Sequence, residues 1–339
     1  MIVVRAPLRI SFVGGGTDLP DFYRAHTGRV ISATIDKYVY LVINRTPMIN
    51  SISARYSICE TVNHPDELEH TRIREALNKV GIMSNIEIGS FASIPSKTGL
   101  GSSSSFSVAL LKGLHHLAGK KLSPRESAEA ACWLEIDALH EPIGKQDQYA
   151  TAIGGFNIFQ FNKDDTVDIN PVLLGYESAC KLEDHMMLFF TGITRSASDV
   201  LGKQRTEMDK KIKVYQDMAA QVPFFETALL AGNIEKMASM MHEGWLMKKS
   251  LTEGISSSLI DNFYEEARKS GAWGGKVLGA GGGGCILMLV TPEKHKSVRE
   301  KMISIAKGNN LNGFQEIPVK FVQSGAEVLL NDSQGNDYC

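Results

Sequence analysis

The sequence predicts a chain of mixed helices and strands in two domains, strand-rich in its first third and helix-rich in its second half. Its 339 residues exceed what one core usually supports, since a domain averages roughly 150 residues. β-Branched and aromatic residues dominate residues 30–45, and residues 86–94 continue that strand-like composition. Apolar residues at helical spacing follow in the second half, where the predicted helices are 196–220, 233–249 and 256–270.

Capping and turn residues give further helix boundaries. A helix is predicted to begin near Ser102 and to stop at Gly119. Ser123 is followed by proline and, three residues on, by Glu126, which is typical of a capping box at a helix start. This second helix should run until Pro142 interrupts it.

The domain boundary is predicted near residue 178, after a strand at 154–161 and a loop at 162–168. The two domains then comprise residues 1–178 and 179–339. In the second domain the other predicted elements are strands at 185–191, 277–278, 285–290, 317–322 and 327–330 and a helix at 292–307.

Composition excludes several classes of protein. The formal net charge of −2 provides no overall cationic field for nucleic acid or an anionic membrane, so any phosphate binding must be local. The five cysteines show no CxxC spacing, which argues against a zinc site and a disulfide framework. The sequence shows neither a signal-peptide pattern nor a run of about 20 apolar residues. We therefore expect a cytoplasmic protein with small-molecule partners and no nucleic-acid or membrane partner, and a homodimer remains open.

The segment PSKTGLGSSSS at 95–105 predicts a phosphate-binding loop. Its glycines let the backbone approach an anion, and the helix that begins near Ser102 presents unpaired N–H groups. Several such donors with serine hydroxyls could hold a triphosphate, and a serine hydroxyl can ligate magnesium. A serine-capped helix after a flexible loop is the structural alternative. The segment lacks the lysine of GxxxxGK[ST], which disfavours ordinary P-loop NTPases.

Two further glycine segments need an explanation. Residues 279–284, GAGGGG, formally satisfy GxGxxG but lead into an apolar strand instead of a helix, which disfavours a dinucleotide fold. Ordering this many glycines costs much conformational entropy, so we expect a tight turn or a close ligand contact to offset that cost. A flexible hairpin is the alternative. The other segment, GGGTD at 14–18, places Asp18 at the mouth of the first strand. Taken alone, such an aspartate usually satisfies turn backbone groups.

Two acidic residues indicate chemistry. Glu135 shares a helical face with apolar residues such as Ala131 and Leu139, where a solvent-facing charge is not expected. A buried carboxylate needs a cation or a hydrogen-bond donor. Asp147 follows the break at Pro142 and could reach the same pocket, so that one acid ligates metal while the other takes a proton. For each acid alone, a capping role or a surface salt bridge is the alternative.

Three motifs together resemble the GHMP kinase superfamily, named for galacto-, homoserine, mevalonate and phosphomevalonate kinases. APLR at 6–9, GLGSS at 99–103 and KVLGAGGG at 276–283 look like its N-terminal, ATP-phosphate and C-terminal motifs, in the same order. The resemblance spans essentially the whole chain. It implies an α+β fold, with an N-terminal half like the second domain of ribosomal protein S5 and a ferredoxin-like C-terminal half.

The resemblance also implies ATP and Mg²⁺ as cofactors and roles for individual residues. Ser103 and Glu135 would ligate magnesium, and Asp147 would be the base toward the accepting hydroxyl. Arg9 would steady that aspartate and the transferring phosphoryl group. The residues expected at the nucleotide are Pro95, Lys97, Gly99, Leu100, Gly101, Ser102, Ser103 and Ser104. Those expected at the acceptor are Gly15, Gly16, Thr17, Asp18, Arg195, Gly281 and Gly282.

Within the superfamily, residues 8–20 most resemble the D-glycero-D-manno-heptose 7-phosphate kinases and the related fucokinases. Galactokinases carry a glutamate and a histidine where this chain has Gly15 and Gly16. A phosphorylated sugar needs a second cation, for which Arg195 is the candidate. The implied product is a sugar 1-phosphate for nucleotide-activated heptose synthesis. The alternatives are a kinase of an unphosphorylated sugar such as fucose, a kinase of a mevalonate-like alcohol, and a non-catalytic sugar sensor.

Overall fold

The computed structural model describes residues 1–194 and 197–332. The strands are β1 (Ile2–Val13), β2 (Gly28–Arg45), β3 (Ile52–Arg55), β4 (Cys59–Val62), β5 (Ile86–Ala92), β6 (Phe156–Phe161), β7 (Val167–Pro171), β8 (Met186–Phe190), β9 (Ala272–Val277), β10 (Cys285–Val290), β11 (Gln315–Glu316) and β12 (Glu327–Asn331). The α-helices are α1 (Pro20–His26), α2 (Thr71–Val80), α3 (Ser102–Leu117), α4 (Pro124–Cys132), α5 (Gln146–Ile153), α6 (Tyr176–Glu183), α7 (Ala197–Leu230), α8 (Ile234–Lys249), α9 (Ser258–Lys269) and α10 (His295–Gly308).

The first sheet is organised around the long strand β2. Residues 28–33 of β2 pair with β6, and residues 39–45 pair with β5. On the other side β1 pairs antiparallel with β2, and β12 pairs with β1, in the order β12-β1-β2-β5-β3-β4. Helices α3 and α5 pack on β1 and against each other. This arrangement brings the starts of both helices to the same end of the first sheet.

The second sheet has the order β11-β8-β10-β9 and is buried on both faces. Met186, Leu188 and Phe190 of β8 face a core shared with the first sheet, whereas Met187 and Phe189 face a second core built with α9 and α10. Strands buried on both sides read as continuous apolar runs, as β8 and β10 do. The two sheets with their segregated helices confirm the α+β prediction.

Several predicted boundaries are confirmed. Helix α3 begins at Ser102, directly after Gly101 in a left-handed conformation, and ends two residues before Gly119. The capping box is present, since Ser123 Oγ accepts from the Glu126 N–H at 3.2 Å and Glu126 Oε2 accepts from the Ser123 N–H at 2.8 Å. The helix does not run to Pro142, however. It passes into a π-helical turn, Trp133–Ala138, and ends there.

Two predictions for the second half were wrong, one on where a helix ends and one on a strand. Helix α7 does not stop at residue 220 but continues through Pro223, because Val222 and Phe225 are fully buried and their packing holds the last turns in place. Residues 317–322 are not a strand, because their backbone bonds divide between the two sheets. The Ile317 N–H donates to Leu188 O of the second sheet at 2.8 Å, while Phe321 forms an isolated bridge with the first sheet.

The predicted division of the chain at residue 178 stays a prediction. That residue lies inside helix α6, and the closing strand β12 returns to pair with β1 of the first sheet. In the part of the chain that the structure describes, no helix combines the length and apolar character needed to cross a membrane.

Candidate active site

A cavity of about 880 Å³ lies between β1, the start of α3 and the turn that joins β9 to β10. The predicted residues that line it are Arg9, Gly15, Gly16, Asp18, Pro95, Lys97, Gly99, Gly101, Ser102, Ser103, Ser104, Asp147 and Gly281. Arg195, the predicted phosphosugar cation, lies outside the described residues.

Arg9 and Asp147 form a bidentate ion pair in the cavity wall. Arg9 Nε donates to Asp147 Oδ1 at 2.8 Å, and Nη2 donates to Oδ2 at 2.7 Å. The third nitrogen, Nη1, donates to the Gly99 carbonyl at 2.7 Å. Arg9 is 3% exposed, whereas the Asp147 side chain is 24% exposed and can be reached from the cavity. A planar guanidinium held in this way fixes the orientation of the carboxylate.

The loop before α3 lies directly against this pair. Gly101 has a left-handed φ of 80°, which residues with a side chain rarely adopt, and its Cβ position would lie in van der Waals contact with Asp147 Oδ2, at 3.4 Å. The next three residues, Ser102, Ser103 and Ser104, form the first turn of a 16-residue helix, whose N–H groups have no preceding turn to bond. Behind them Thr98 Oγ1 is buried without a partner in the described chain. The free N–H groups of Ser102, Ser103 and Ser104 at this positive helix end fit the phosphates of a nucleotide.

Glu135 is fully buried, as its helical face predicted. Its carboxylate accepts from Ser104 Oγ at 2.8 Å and from Ser107 Oγ at 2.8 Å, with Gln148 Nε2 as a further donor. Arg72 Nε lies 3.4 Å from Oε1 and supplies the cation. Glu135 therefore does not line the cavity itself, but it is hydrogen-bonded to Ser104, which does.

Magnesium ligation by Ser103 and Glu135 stays a prediction. Within residues 1–194 and 197–332, no three His, Cys, Asp or Glu side chains are grouped so as to hold a metal ion. Mg²⁺ usually takes one or two protein ligands and completes its shell with phosphates and water. The exposed Ser103 hydroxyl in the cavity fits that pattern. Glu135 would join it only by exchanging one of its present hydrogen bonds.

The glycine segment 279–284 is a packed turn and not a flexible hairpin. A Cβ at Gly279 would lie 2.6 Å from the Gly99 Cα, and one at Gly284 would lie 2.5 Å from the Thr98 carbonyl oxygen. Reciprocally, a Cβ at Gly99 would lie 2.5 Å from the Leu278 carbonyl oxygen. The glycines thus allow two backbones to touch. The C-terminal motif thereby supports the phosphate loop from behind.

Asp18 organises the end of the cavity that is formed by the turn after β1. Its Oδ1 accepts from the Gly16 N–H at 3.0 Å and from Gln146 Nε2 at 2.9 Å, while Oδ2 accepts from the Gln146 N–H at 3.2 Å. Asp18 is 2% exposed, and its burial, followed by the neighbouring Asp147 charge, raises the pKa of its carboxyl group. The contacts tie the turn at the end of β1 to the residue beside Asp147.

Three predicted ligand-binding residues lie off the cavity. Thr17 is fully buried, and its hydroxyl bonds to backbone groups of its own turn and of β2. Leu100 is a core residue. The Gly282 N–H donates to Ile255 O at 2.7 Å and so is engaged by the protein. Each of these residues shapes the cavity from behind instead of facing into it.

Lys248 of α8 is a site residue that the sequence reasoning missed. It is 6% exposed, lines the cavity, and its Nζ donates to the Gly279 carbonyl. Burial lowers the pKa of its ammonium group to about 8, opposed by Asp18 and Asp147. The signal was present, since Lys248 follows Met241 and Trp245 on one apolar face, the same pattern that identified Glu135.

Arg72 and Glu141 were also missed. Arg72 Nη2 donates to Glu141 Oε2 at 2.7 Å, and both side chains line the cavity beside the buried Glu135. Burial raises the pKa of the Glu141 carboxyl group, while Arg72 opposes this. No local sequence pattern marks the pair, because its partners come from elements separated by many residues.

Comparison with known proteins identifies the family. The profile of the GHMP kinases N terminal domain matches residues 70–155, and that of the GHMP kinases C terminal domain matches residues 225–307. The D-glycero-alpha-D-manno-heptose 7-phosphate kinase of Campylobacter jejuni is 29% identical over 309 residues, which cover 86% of this chain and 90% of that protein. A galactokinase of Pyrococcus furiosus is 24% identical, over 89% of this chain and 92% of its own length.

Among solved structures, a D-glycero-D-manno-heptose 1-phosphate kinase from Bacteroides thetaiotaomicron superposes with a TM-score of 0.79 and 26% identity. The match covers 98% of this chain and 100% of that chain, so both sheets and the cavity between them are included. With a family domain matched on each side of that cavity, the chain belongs to the GHMP kinases, a family of ATP-dependent kinases, and has their two-domain α+β fold.

Proposed function

We propose that this kinase phosphorylates the anomeric hydroxyl of a phosphorylated sugar, with D-glycero-D-manno-heptose 7-phosphate as the first candidate substrate. The observation that carries the proposal is the bidentate hold of Arg9 on Asp147, beside the free helix start of α3 and opposite the Asp18 turn. A carboxylate fixed between an anion-binding helix end and a polar acceptor end is placed to activate a hydroxyl toward a phosphoryl group.

Each residue then has a defined task. Asp147 accepts the proton of the attacking hydroxyl on its carboxylate, and Arg9 holds that carboxylate in the orientation for transfer. The N–H groups of Ser102 to Ser104 bind phosphate oxygens, with Ser103 as the hydroxyl available to Mg²⁺. ATP supplies the phosphoryl group, and the metal offsets its charge. Asp18 and Gln146 form the wall against which the acceptor lies.

A sugar phosphate is favoured over other acceptors by the chain's relatives. The relatives described above are named as heptose phosphate kinases and a galactokinase, and the acceptor turn carries Gly15 and Gly16 instead of galactokinase-type polar residues. Fucokinase-containing proteins are also related, for example the bifunctional fucokinase/GDP-fucose pyrophosphorylase of Arabidopsis thaliana at 25% identity. An unphosphorylated sugar is therefore the alternative acceptor.

A cytoplasmic location is in keeping with Cys59, Cys132, Cys180 and Cys285 being free thiols.

The test is a substrate panel with coupled ADP detection. The panel contains D-glycero-D-manno-heptose 7-phosphate, the same heptose without phosphate, L-fucose, D-galactose and mevalonate. A charge-assisted contact to the substrate phosphate should raise kcat/KM for the phosphorylated heptose roughly 10- to 150-fold over the unphosphorylated one. Phosphorus NMR of the product should place the new phosphate on the anomeric carbon.

Arg195→Ala separates the substrate phosphate from the nucleotide. The variant should lose the preference for phosphorylated heptose while keeping the KM for ATP. Equal kcat/KM for the two heptoses in the unmodified chain, or a preference for fucose or mevalonate, would overturn the heptose-phosphate assignment. Sugar binding without ATP consumption would point to the non-catalytic sensor instead.

A further inference from the structure

Three buried polar groups at the acceptor end of the cavity lack a hydrogen-bond partner among the residues that the structure describes. They are the side-chain amide of Gln204, both of whose polar atoms are unpaired, the hydroxyl of Tyr215 and the Oε1 atom of Gln146. Gln204 is 1% exposed and Tyr215 is fully buried. Gln204 and Gln146 are both lining residues of the cavity.

The three groups surround the turn formed by Gly15 and Gly16. A Cβ at Gly16 would lie 3.4 Å from Tyr215 Cε1 and 4.0 Å from Gln204 Oε1. A Cβ at Gly15 would lie 3.8 Å from Gln146 Oε1. Because neither glycine carries a side chain, the space between these groups stays open.

An unpaired buried amide is costly, because it has lost its water without gaining a partner. Gln204 has no local reason to be polar, since Val200 and Met208, one helical turn to either side on α7, are both 2% exposed and lie in the second core. The next residue, Arg205, pairs with Asp21 of α1 and so fixes this part of α7 against the acceptor turn. The amide is held in place and left unsatisfied.

We infer that Gln204 binds a ring hydroxyl of the sugar, so that helix α7 sets which sugar is accepted; this inference rests on the proposed function. The chemistry selects a neutral hydroxyl group. A hydroxyl both donates and accepts, which matches the amide of Gln204 and the free oxygen of Gln146. A phosphate group would instead meet the Asp18 carboxylate, whose oxygens already accept from Gln146.

The test compares Gln204→Leu with Gln216→Leu, an exposed glutamine on the same helix. Affinity for D-glycero-D-manno-heptose 7-phosphate and for L-fucose is measured by calorimetry, independently of turnover. In Gln204→Leu the affinity for the preferred sugar should fall roughly ten-fold or more, because a sugar hydroxyl would be buried without a partner. The KM for ATP should stay within about twofold. Gln216→Leu should leave sugar affinity unchanged.

Thermal stability provides a readout that separates binding from a structural role. Replacing an unpaired buried amide by an apolar side chain of similar size should raise the Tm of the unliganded protein, even as sugar affinity falls. Unchanged sugar affinity in Gln204→Leu overturns the inference, and so does a fall in Tm with parallel losses of sugar and ATP binding. An unmodified chain that binds neither sugar overturns it as well. If sugar binds through Gln204 but no ADP is formed, the inference stands and the proposed function fails.

Discussion

Replacing Arg9 by lysine is expected to slow turnover by about 30- to 150-fold while the chain remains folded. The arginine donates three hydrogen bonds, two to Asp147 and one to the Gly99 carbonyl. Lysine keeps the positive charge but has a single nitrogen, which cannot span both carboxylate oxygens and the loop carbonyl. The variant therefore keeps a positive charge beside Asp147 but no longer holds the carboxylate in one orientation.

The magnitude follows from counting those bonds. At least two charge-assisted bonds are lost, each worth about 1.5 to 3 kcal/mol. The Asp147 side chain is 24% exposed, so hydrogen bonds to water replace part of this loss. We therefore expect the barrier to phosphoryl transfer to rise by about 2 to 3 kcal/mol. The assay is steady-state ADP release at saturating ATP and sugar, with circular dichroism to verify the fold.

Arg5→Lys is the matched control. Arg5 lies on the same strand and also holds a carboxylate with two nitrogens, but its partner Glu327 is 37% exposed and outside the cavity. That variant should turn over at the normal rate. Turnover of Arg9→Lys within about threefold of the unmodified chain would show that Arg9 does not act by orienting Asp147, as would an equal loss in Arg5→Lys.

Two further substitutions probe the packing around the pair. Gly99→Ala should be less stable than Gly81→Ala by about 1 to 3 kcal/mol in urea denaturation. Both glycines have left-handed φ angles, 82° and 77°, so both variants carry the same backbone strain. At Gly99, however, the added Cβ would also lie 2.5 Å from the Leu278 carbonyl oxygen, whereas no atom lies within 4 Å at Gly81. Equal losses would show that the two loops are not in contact. Lys248 has a folded pKa of about 8 against an ordinary 10.5, so between these pH values it binds more protons in the unfolded chain than in the folded one and contributes a rise of about 3 kcal/mol to the free energy of unfolding. Denaturation curves from pH 7.5 to 10.5 should therefore show the unmodified chain gaining about this much stability relative to Lys248→Met, and a difference that does not change with pH would contradict the lowered pKa.

Local sequence signals predicted much of the site. Gly101 before a serine run marked the start of α3, and Glu135 on an apolar face was found fully buried. These predictions succeed because capping and helical periodicity act over a few residues. The pattern that found Glu135 would also have found Lys248, and an amide between buried neighbours would have marked Gln204.

Long-range pairings could not be predicted from local patterns. Arg9 meets Asp147 across 138 positions of the chain, and the turn at Gly279 meets Gly99 across an even longer separation. The path of residues 317–322 between two sheets, and the extension of α7 past Pro223, likewise depend on tertiary packing that overrides local propensity. The resemblance to GHMP kinases supplied the global arrangement that the residue patterns alone did not.

The turnover of Asp147→Asn with D-glycero-D-manno-heptose 7-phosphate decides whether Asp147 is the catalytic base. Asparagine keeps the shape of the side chain and its place at the start of α5 but cannot take the proton of the accepting hydroxyl. The variant should bind ATP and sugar nearly as the unmodified chain does, while kcat falls about 10²- to 10⁴-fold. A kcat close to normal would mean that Asp147 is not the base, and the catalytic assignment of the whole cavity would be wrong.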